Sequence, residues 1–280
     1  MNYSTLLKNI YNIDNIVYSI ITPVYNQADI IVKNINSYIN NTDDNFEIII
    51  ILDSCSDNTK ENLLKFIKTF KSDKQNFIQI QIIETIKPLF ETKCDNIGFK
   101  LAQGKYLLEI QADMEMTQFG YNKHLTKPFN VLHNVIAVSG RCAHNLYISG
   151  GVGKLGRLIE INIDQLKIER NVFYTYETCN RGPLLLEKEK VKELNYLDEE
   201  NYFLDNSDHD LMARAYILKK YICGYVPIDF NAPIEDGSTR KQKDEKNTIA
   251  FNEYINKIDK SYINKYKKNW VGLEPKKYNI

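Results

Sequence analysis

The spacing of apolar and polar positions switches between two periods along the first 115 residues. Residues 17–22 form a short β-branched and aromatic run that reads as a strand, and Pro23, which lacks a donor, is expected to stop it. From Asp29 to Asn40 the apolar residues Ile31, Ile35 and Tyr38 recur at i, i+4 and i+7, a helical period. Residues 46–52 are almost continuously apolar, as in a strand covered on both faces, and the run ends at Asp53. Asn58, with Glu61 three residues on, reads as the cap of a helix whose stripe is Leu63, Ile67 and Phe70. Residues 77–83 alternate and predict a strand near a sheet edge. Residues 94–103 predict a helix with Ile97 and Leu101 on one face, closed by Gly104. Residues 106–110 predict a fourth strand that runs into Gln111-Ala112-Asp113. Repeated βα units imply a parallel sheet with helices on both faces, and such sheets bind ligands outside the carboxyl ends of their strands. Tyr25-Asn26, Asp53 and Asp113 therefore fall into one candidate site.

The second half is less regular. Strands are expected at 135–138, 172–178 and 184–186, a charged helix at 187–194, and a helix over 210–219 with Asp208 at or just before its start. Residues 235–247 read as a polar loop, and Phe251, Ile255, Ile258 and Tyr262 mark an amphipathic C-terminal helix. With 280 residues, 43% hydrophobic, 26% charged, 12 Gly and 7 Pro, the chain is neither disordered nor collagenous, and one large domain over 1–280 is expected. Thirty-six basic side chains balance 36 acidic ones, so no global field attracts nucleic acid. No apolar run reaches the ~18 residues of a spanning helix, and the first residues lack the pattern of a signal peptide. Five scattered cysteines fit a reducing compartment, and four histidines lack zinc spacing. A cytoplasmic protein is the expectation.

Four segments stand in a telling order: Ser19-Ile20-Ile21-Thr22-Pro23-Val24-Tyr25-Asn26; Leu52-Asp53-Ser54-Cys55-Ser56-Asp57-Asn58-Thr59; Asn96-Ile97-Gly98; and Ala102-Gln103-Gly104-Lys105-Tyr106 leading to Gln111-Ala112-Asp113. Together they resemble the motifs of family 2 glycosyltransferases, densely over 17–115 and more loosely to about residue 226. The resemblance implies a GT-A-like α/β fold, with a mostly parallel central sheet and helices on both faces. It implies a Rossmann-like nucleotide-binding half (17–115), an acceptor and catalytic half (116–230), and a lid loop with a C-terminal helix (231–280). It further implies inverting transfer of a hexosyl or N-acetylhexosaminyl group from a UDP-sugar, or another nucleotide-diphosphate sugar, to a hydroxyl of a glycan or glycoconjugate. Mn2+ or Mg2+ would stabilise the departing diphosphate.

Within that resemblance, Asp53 is placed to accept the imide N–H of uracil, with Pro23 and Tyr25 shaping the nucleotide pocket. Asp57 matches a second acidic position but reads equally as a helix cap. Asp113 matches the last carboxylate of the metal-binding DxD motif, whose first position is here Gln111; Gln111 and Ala112 are assigned to the nucleotide side, and Glu115 is either a compensating ligand or a solvated loop carboxylate. Lys93 is a candidate phosphate contact or a solvated lysine, and Asn96 a nucleotide-site residue or the holder of a turn. Asn206-Ser207-Asp208-His209-Asp210-Leu211 is similar to the family's segment that carries the catalytic base, which falls on Asp208; Asp205 and Asp210 compete, the latter also suited to pairing with Arg214. His209 reads as a partly buried helix residue. Arg181, in Asn180-Arg181-Gly182-Pro183, is a candidate sugar or phosphate contact, and residues 195–199 resemble a structural stretch. Arg240 is a candidate diphosphate clamp on the lid, with Glu235 or Asp236 nearby as a ligand. The basic, aromatic stretch from Tyr262 to Lys277 is either a solvated helix end or a peripheral membrane contact. Residues 22–27 have neither Gly nor Lys, which argues against a nucleotidyltransferase, whereas Gln111 and Ser207 keep a noncatalytic nucleotide or sugar-binding module as the other reading.

Overall fold

A computed structural model of the protein describes residues 2–71, 73–145, 153–156, 168–204, 206–233 and 275–280. The first half contains β1 (Tyr3–Ile10), β2 (Tyr18–Val24), α1 (Ile31–Asn41), β3 (Phe46–Leu52), α2 (Thr59–Thr69), β4 (Phe77–Thr85), α3 (Phe90–Leu101) and β5 (Tyr106–Glu109). The second contains β6 (Glu115–Met116), α4 (Tyr121–Val131), β7 (Val135–Ser139), β8 (Cys142–Asn145), β9 (Gly153–Gly156), β10 (Val172–Tyr176), β11 (Thr178–Cys179), β12 (Leu184–Glu187), α5 (Lys188–Glu193), α6 (Ser207–Lys219), β13 (Ile222–Tyr225), β14 (Phe230–Asn231) and β15 (Lys277–Asn279).

One ten-stranded sheet, in the order β1-β4-β3-β2-β5-β12-β7-β13-β10-β15, runs through both halves. Strands β4, β3, β2 and β5 are parallel neighbours. β12 inserts antiparallel between β5 and β7, and β13 then runs parallel to β7. Small sheets β11-β8-β9 and β14-β6 flank this frame. Period-two alternation distributes the strand side chains: Ile20, Ile48 and Ile50 pack with Ile35 and Tyr38 of α1, Leu63 of α2 and Leu125 of α4. Ile21, Ile49 and Ile51 pack on the other face with Phe99 of α3, Val191 of α5 and Leu211 of α6. Both faces are covered, which is why β3 reads as an unbroken apolar run. No helix among the described residues is long and apolar enough to cross a membrane.

Several local expectations change. β2 continues through Pro23, which lies opposite Ile51. Ile21 O accepts from Ile110 N on the β5 side, so by alternation Pro23 faces that side too, where β5 has already ended; no ladder bond is lost. β4 is not at the edge, because β1, which the sequence pattern did not reveal, pairs antiparallel along it. α3 starts at Phe90, and Gly104 lies beyond its C-cap Ala102. Gly104 instead lets the chain close on β2: a Cβ there would stand 2.8 Å from Ser19 N. The expected strand over 172–178 is split into β10 and β11. The polar loop at 235–247 and the helix through Phe251, Ile255, Ile258 and Tyr262 lie outside the described residues.

Candidate active site

The loops that follow β2 and β3 are fastened to each other. Asn26, in the left-handed region at φ 49°, accepts from Ser56 N at 2.9 Å and Asp57 N at 3.3 Å. Asp57 accepts from Ala28 N (3.1 Å) and Thr59 N (2.9 Å), so it is the working cap of α2, and Asn58 makes no side-chain cap bond. Pro23 and Tyr25 are half-buried on the same rim. Asp53, at the carboxyl end of β3, is 6% exposed. Its Oδ1 accepts from Thr85 Oγ1 (2.9 Å) and Leu89 N (2.8 Å), and its Oδ2 from Phe90 N (2.9 Å). Burial pushes its carboxyl up, against the pull of these bonds. Asp53 therefore anchors the start of α3, a cap supplied from another element that explains why the helix begins four residues before its periodic stretch.

The turn after β5 is held by α1. Asn34 Nδ2 donates to Ala112 O at 2.8 Å, and the Tyr38 hydroxyl reaches Gln111 O at 3.2 Å and Met114 O at 2.9 Å. Asp113 is half-buried on this turn. The Gln111 side chain donates to Glu91 Oε1 (2.8 Å) and accepts from Arg141 Nη1 (2.9 Å). Gly182, at φ 65°, packs against it; a Cβ there would stand 2.8 Å from Gln111 Cγ. Glu115 is not a solvated loop carboxylate. It pairs with Lys33 at 2.9 Å and accepts from Asn231 at 3.1 Å, and these partners hold its carboxyl below the usual range.

Arg181 is the centre of the site. It is buried, with Nη1 donating to Asp95 Oδ2 (3.0 Å) and 3.2 Å from Glu91 Oε2, Nη2 bonded to Ser207 Oγ, and Nε 3.9 Å from Asp208 Oδ2. Glu109, inside β5, accepts from Gly182 N at 2.7 Å. Burial raises the carboxyls of Asp95 and Glu109 well above the ordinary value, helped at Asp95 by the charges of Glu91 and Asp208 and at Glu109 by those of Asp95 and Glu91, against the pull of Arg181. Carboxylate oxygens of Glu91, Asp95 and Glu109 lie within 4.8 Å of one another and could hold a divalent cation. Asp95 Oδ1 and Glu109 Oε1 are buried without a hydrogen-bond partner, which suits such a ligand.

Asp208 joins this cluster from the first turn of α6, where Ser207, Asp208, His209 and Asp210 are all buried. It accepts from Arg181 N (3.1 Å) and His209 N (2.8 Å). Burial alone would raise its carboxyl, but His209, Arg181 and these backbone bonds hold it below the ordinary value, so it is ionised at neutral pH. Behind His209, His144 stacks edge-on at 5.4 Å and is driven by burial down to about 4.

Other expected site residues are structural. Asp210 pairs with Arg214 at 2.7 Å, and Arg214 also donates to Leu194 O and Tyr196 O. The Asn96 amide is committed to Leu197, donating to its O (2.9 Å) and accepting from its N (3.1 Å), and to Glu199 Oε2 (2.6 Å). Asn96 thus holds the 195–199 stretch. Lys93 is half-buried on the first turn of α3. Arg240, Glu235, Asp236 and Asp205 lie outside the described residues, as does most of the basic stretch, up to residue 274. Glu91, Asp95, Glu109 and Arg141 escaped the sequence reading. Two signals were present: a glutamate inside the apolar run Tyr106-Leu107-Leu108-Glu109-Ile110, and Glu91 and Asp95 spaced i, i+4 on one helix.

Residues 19–145 match the model of glycosyl transferase family 2. That segment is similar to glycosyl transferase family 2. An uncharacterized glycosyltransferase of Rickettsia bellii is 34% identical to it over 95 residues, which are 34% of this chain and 12% of that protein. Among solved structures, GalNAc-T7 with UDP, GalNAc and Mn2+ superposes with a TM-score of 0.57 at 16% identity, over 76% of this chain and 42% of the other. S. aureus TarS 1–349 with UDP-GlcNAc gives 0.55 at 15%, over 82% and 62%. The mannosyltransferase PcManGT from Pyrobaculum calidifontis with GDP-Man and Mn2+ gives 0.53 at 14%, over 76% and 55%. At these identities the likeness is one of fold, the GT-A-like α/β arrangement that the sequence resemblance implies.

Proposed function

We propose that the protein is an inverting glycosyltransferase that moves a sugar from a UDP-sugar to a hydroxyl of a glycan or glycoconjugate. One observation carries the reading: a continuous polar path joins the expected nucleotide and base positions. Asp53 holds Leu89 N and Phe90 N, the adjacent Glu91 reaches Gln111 and Arg181, and Arg181 reaches Asp208. In this reading residues 17–115 bind the nucleotide, with uracil on Asp53 beside Pro23 and Tyr25, and residues 116–230 receive the acceptor. The diphosphate lies over the turn at Gln111-Ala112-Asp113. The ionised Asp208 takes the proton of the acceptor hydroxyl as its oxygen attacks the anomeric carbon from the side opposite the diphosphate, which inverts that centre. Asp113, together with diphosphate oxygens, would hold Mn2+ or Mg2+, which supplies neutralising charge to the leaving group.

A noncatalytic nucleotide-binding module is the second reading, favoured by the 4% exposure of Asp208 and by hydrogen bonds on both its oxygens. A panel of nucleotide sugars with acceptor glycans, read by mass spectrometry beside UDP calorimetry, separates the two. Sugar transfer with inverted product supports the enzyme, and UDP binding with every donor left intact supports the module.

A further inference from the structure

We infer that Arg141 binds the donor diphosphate and that Gln111 positions it; this rests on the donor reading above. Arg141 lies just beyond the carboxyl end of β7, on a turn fixed at several points. Its backbone N–H donates to Ser139 Oγ at 3.0 Å, and the neighbouring Gly140 N–H donates to Pro183 O at 2.8 Å. A Cβ on Gly140 would stand 2.5 Å from Ile228 Cδ1, so this turn is packed tightly against the chain after β13. From this turn the half-buried guanidinium extends to Gln111, the residue that starts the turn carrying Asp113.

The contrast with Arg181 sets its role. Arg181 is already engaged, 3.0 Å from Asp95, 3.2 Å from Glu91 and 3.9 Å from Asp208. Among the described residues, Arg141 has no carboxylate at ion-pair distance, and its one side-chain partner is a neutral amide. That amide is oriented from both sides, with Nε2 on Glu91 Oε1 and Oε1 facing Arg141 Nη1. Aspartate in place of Gln111 would cancel the charge of Arg141 and face Glu91 with a like charge. Glutamine aims the guanidinium without neutralising it, which leaves a positive planar fork with unused donors at the carboxyl ends of the strands. Such a fork matches phosphoryl oxygens in geometry and charge. The departure from DxD at position 111 thereby acquires a purpose: part of the diphosphate's charge is met by an arginine.

Calorimetry of uridine and UDP, with and without Mn2+, on the wild type, Arg141→Ala, Arg141→Lys and Gln111→Asp tests this. Loss of a charge-assisted contact should weaken UDP binding by Arg141→Ala about ten- to a hundredfold while uridine binding stays unchanged. Gln111→Asp should weaken UDP binding measured without Mn2+. Arg141→Lys keeps the charge but loses the fork and should fall between, and it serves as the readout if the alanine variant does not fold. UDP affinity within about twofold of wild type in a folded Arg141→Ala, or an equal loss for uridine and UDP, overturns the assignment. A wild type that binds neither ligand overturns the donor reading itself, and this inference with it.

Discussion

Asp208→Asn is the sharpest perturbation of the proposed chemistry. The amide keeps the volume of the carboxylate but cannot take up the acceptor's proton. General-base catalysis contributes about 10²- to 10⁴-fold, equal to ~3–5 kcal/mol of barrier, and kcat should fall by that factor. The structure predicts a second effect. The carboxylate accepts Arg181 N and His209 N on separate oxygens, with Arg181 Nε 3.9 Å from the first, so the amide turns an NH2 towards one of these donors. The resulting clash and weakened charge balance should lower stability by about 1–3 kcal/mol. UDP affinity should be nearly unchanged, because this group meets the acceptor rather than the nucleotide. The ionised form is already favoured, so wild-type kcat should show no acid limb from this group at pH 5–8. Its stability contribution is present above the unfolded carboxylate value of about 3.9 and is lost as pH falls through the lower folded value. Single-turnover transfer, UDP calorimetry and urea unfolding on the same variant separate these effects. A folded Asp208→Asn with near wild-type kcat removes the residue from the mechanism.

Glu109 and Asp95 shift the other way: their contribution to stability is full below the unfolded values of about 4 and is lost as pH rises from there through the raised folded values. Glu109→Gln keeps an acceptor for Gly182 N, so its unfolding free energy should decline less steeply than that of the wild type as pH rises above about 4, and a steeper decline refutes the upward shift of Glu109. Asp113→Ala should remove most of the gain that Mn2+ gives to UDP binding, and survival of both the affinity and the metal response would move the cation elsewhere, with the Glu91, Asp95 and Glu109 carboxylates next in line. Asp53→Ala strands Thr85, Leu89 N and Phe90 N, so it should cost about 1–3 kcal/mol of stability and reduce discrimination between uridine and cytidine nucleotides. An unchanged uridine-to-cytidine affinity ratio counts against the uracil contact.

What could be read in advance divides along physical lines. β3 and α1 were legible because burial on two faces or one stripe leaves a local period. β1 and the early start of α3 were not, since a strand pairing across 69 to 82 positions and a cap supplied by Asp53 leave no mark in a short window. Asp53, Asp113 and Asp208 were picked out as candidates through motifs at strand and helix ends. Arg181 was noticed but undervalued, because its importance comes from carboxylates on α3, β5 and α6 that only the folded chain brings together. Asn96 and Asp57 show the reverse, motif residues whose side chains bind neighbouring backbone.

The strand β1 has a practical consequence. β4 is buried along nearly its whole length and rich in isoleucine, and β1 shields its outer edge. β1 is a safer border: its ladder is broken by an irregularity between Thr5 and Leu7, and it carries Lys8. A recombinant fragment trimmed to begin at residue 16, where the family motifs draw the eye, would bare a flat apolar edge open to pairing with other molecules, so preparations of this domain should retain those first residues to stay monodisperse.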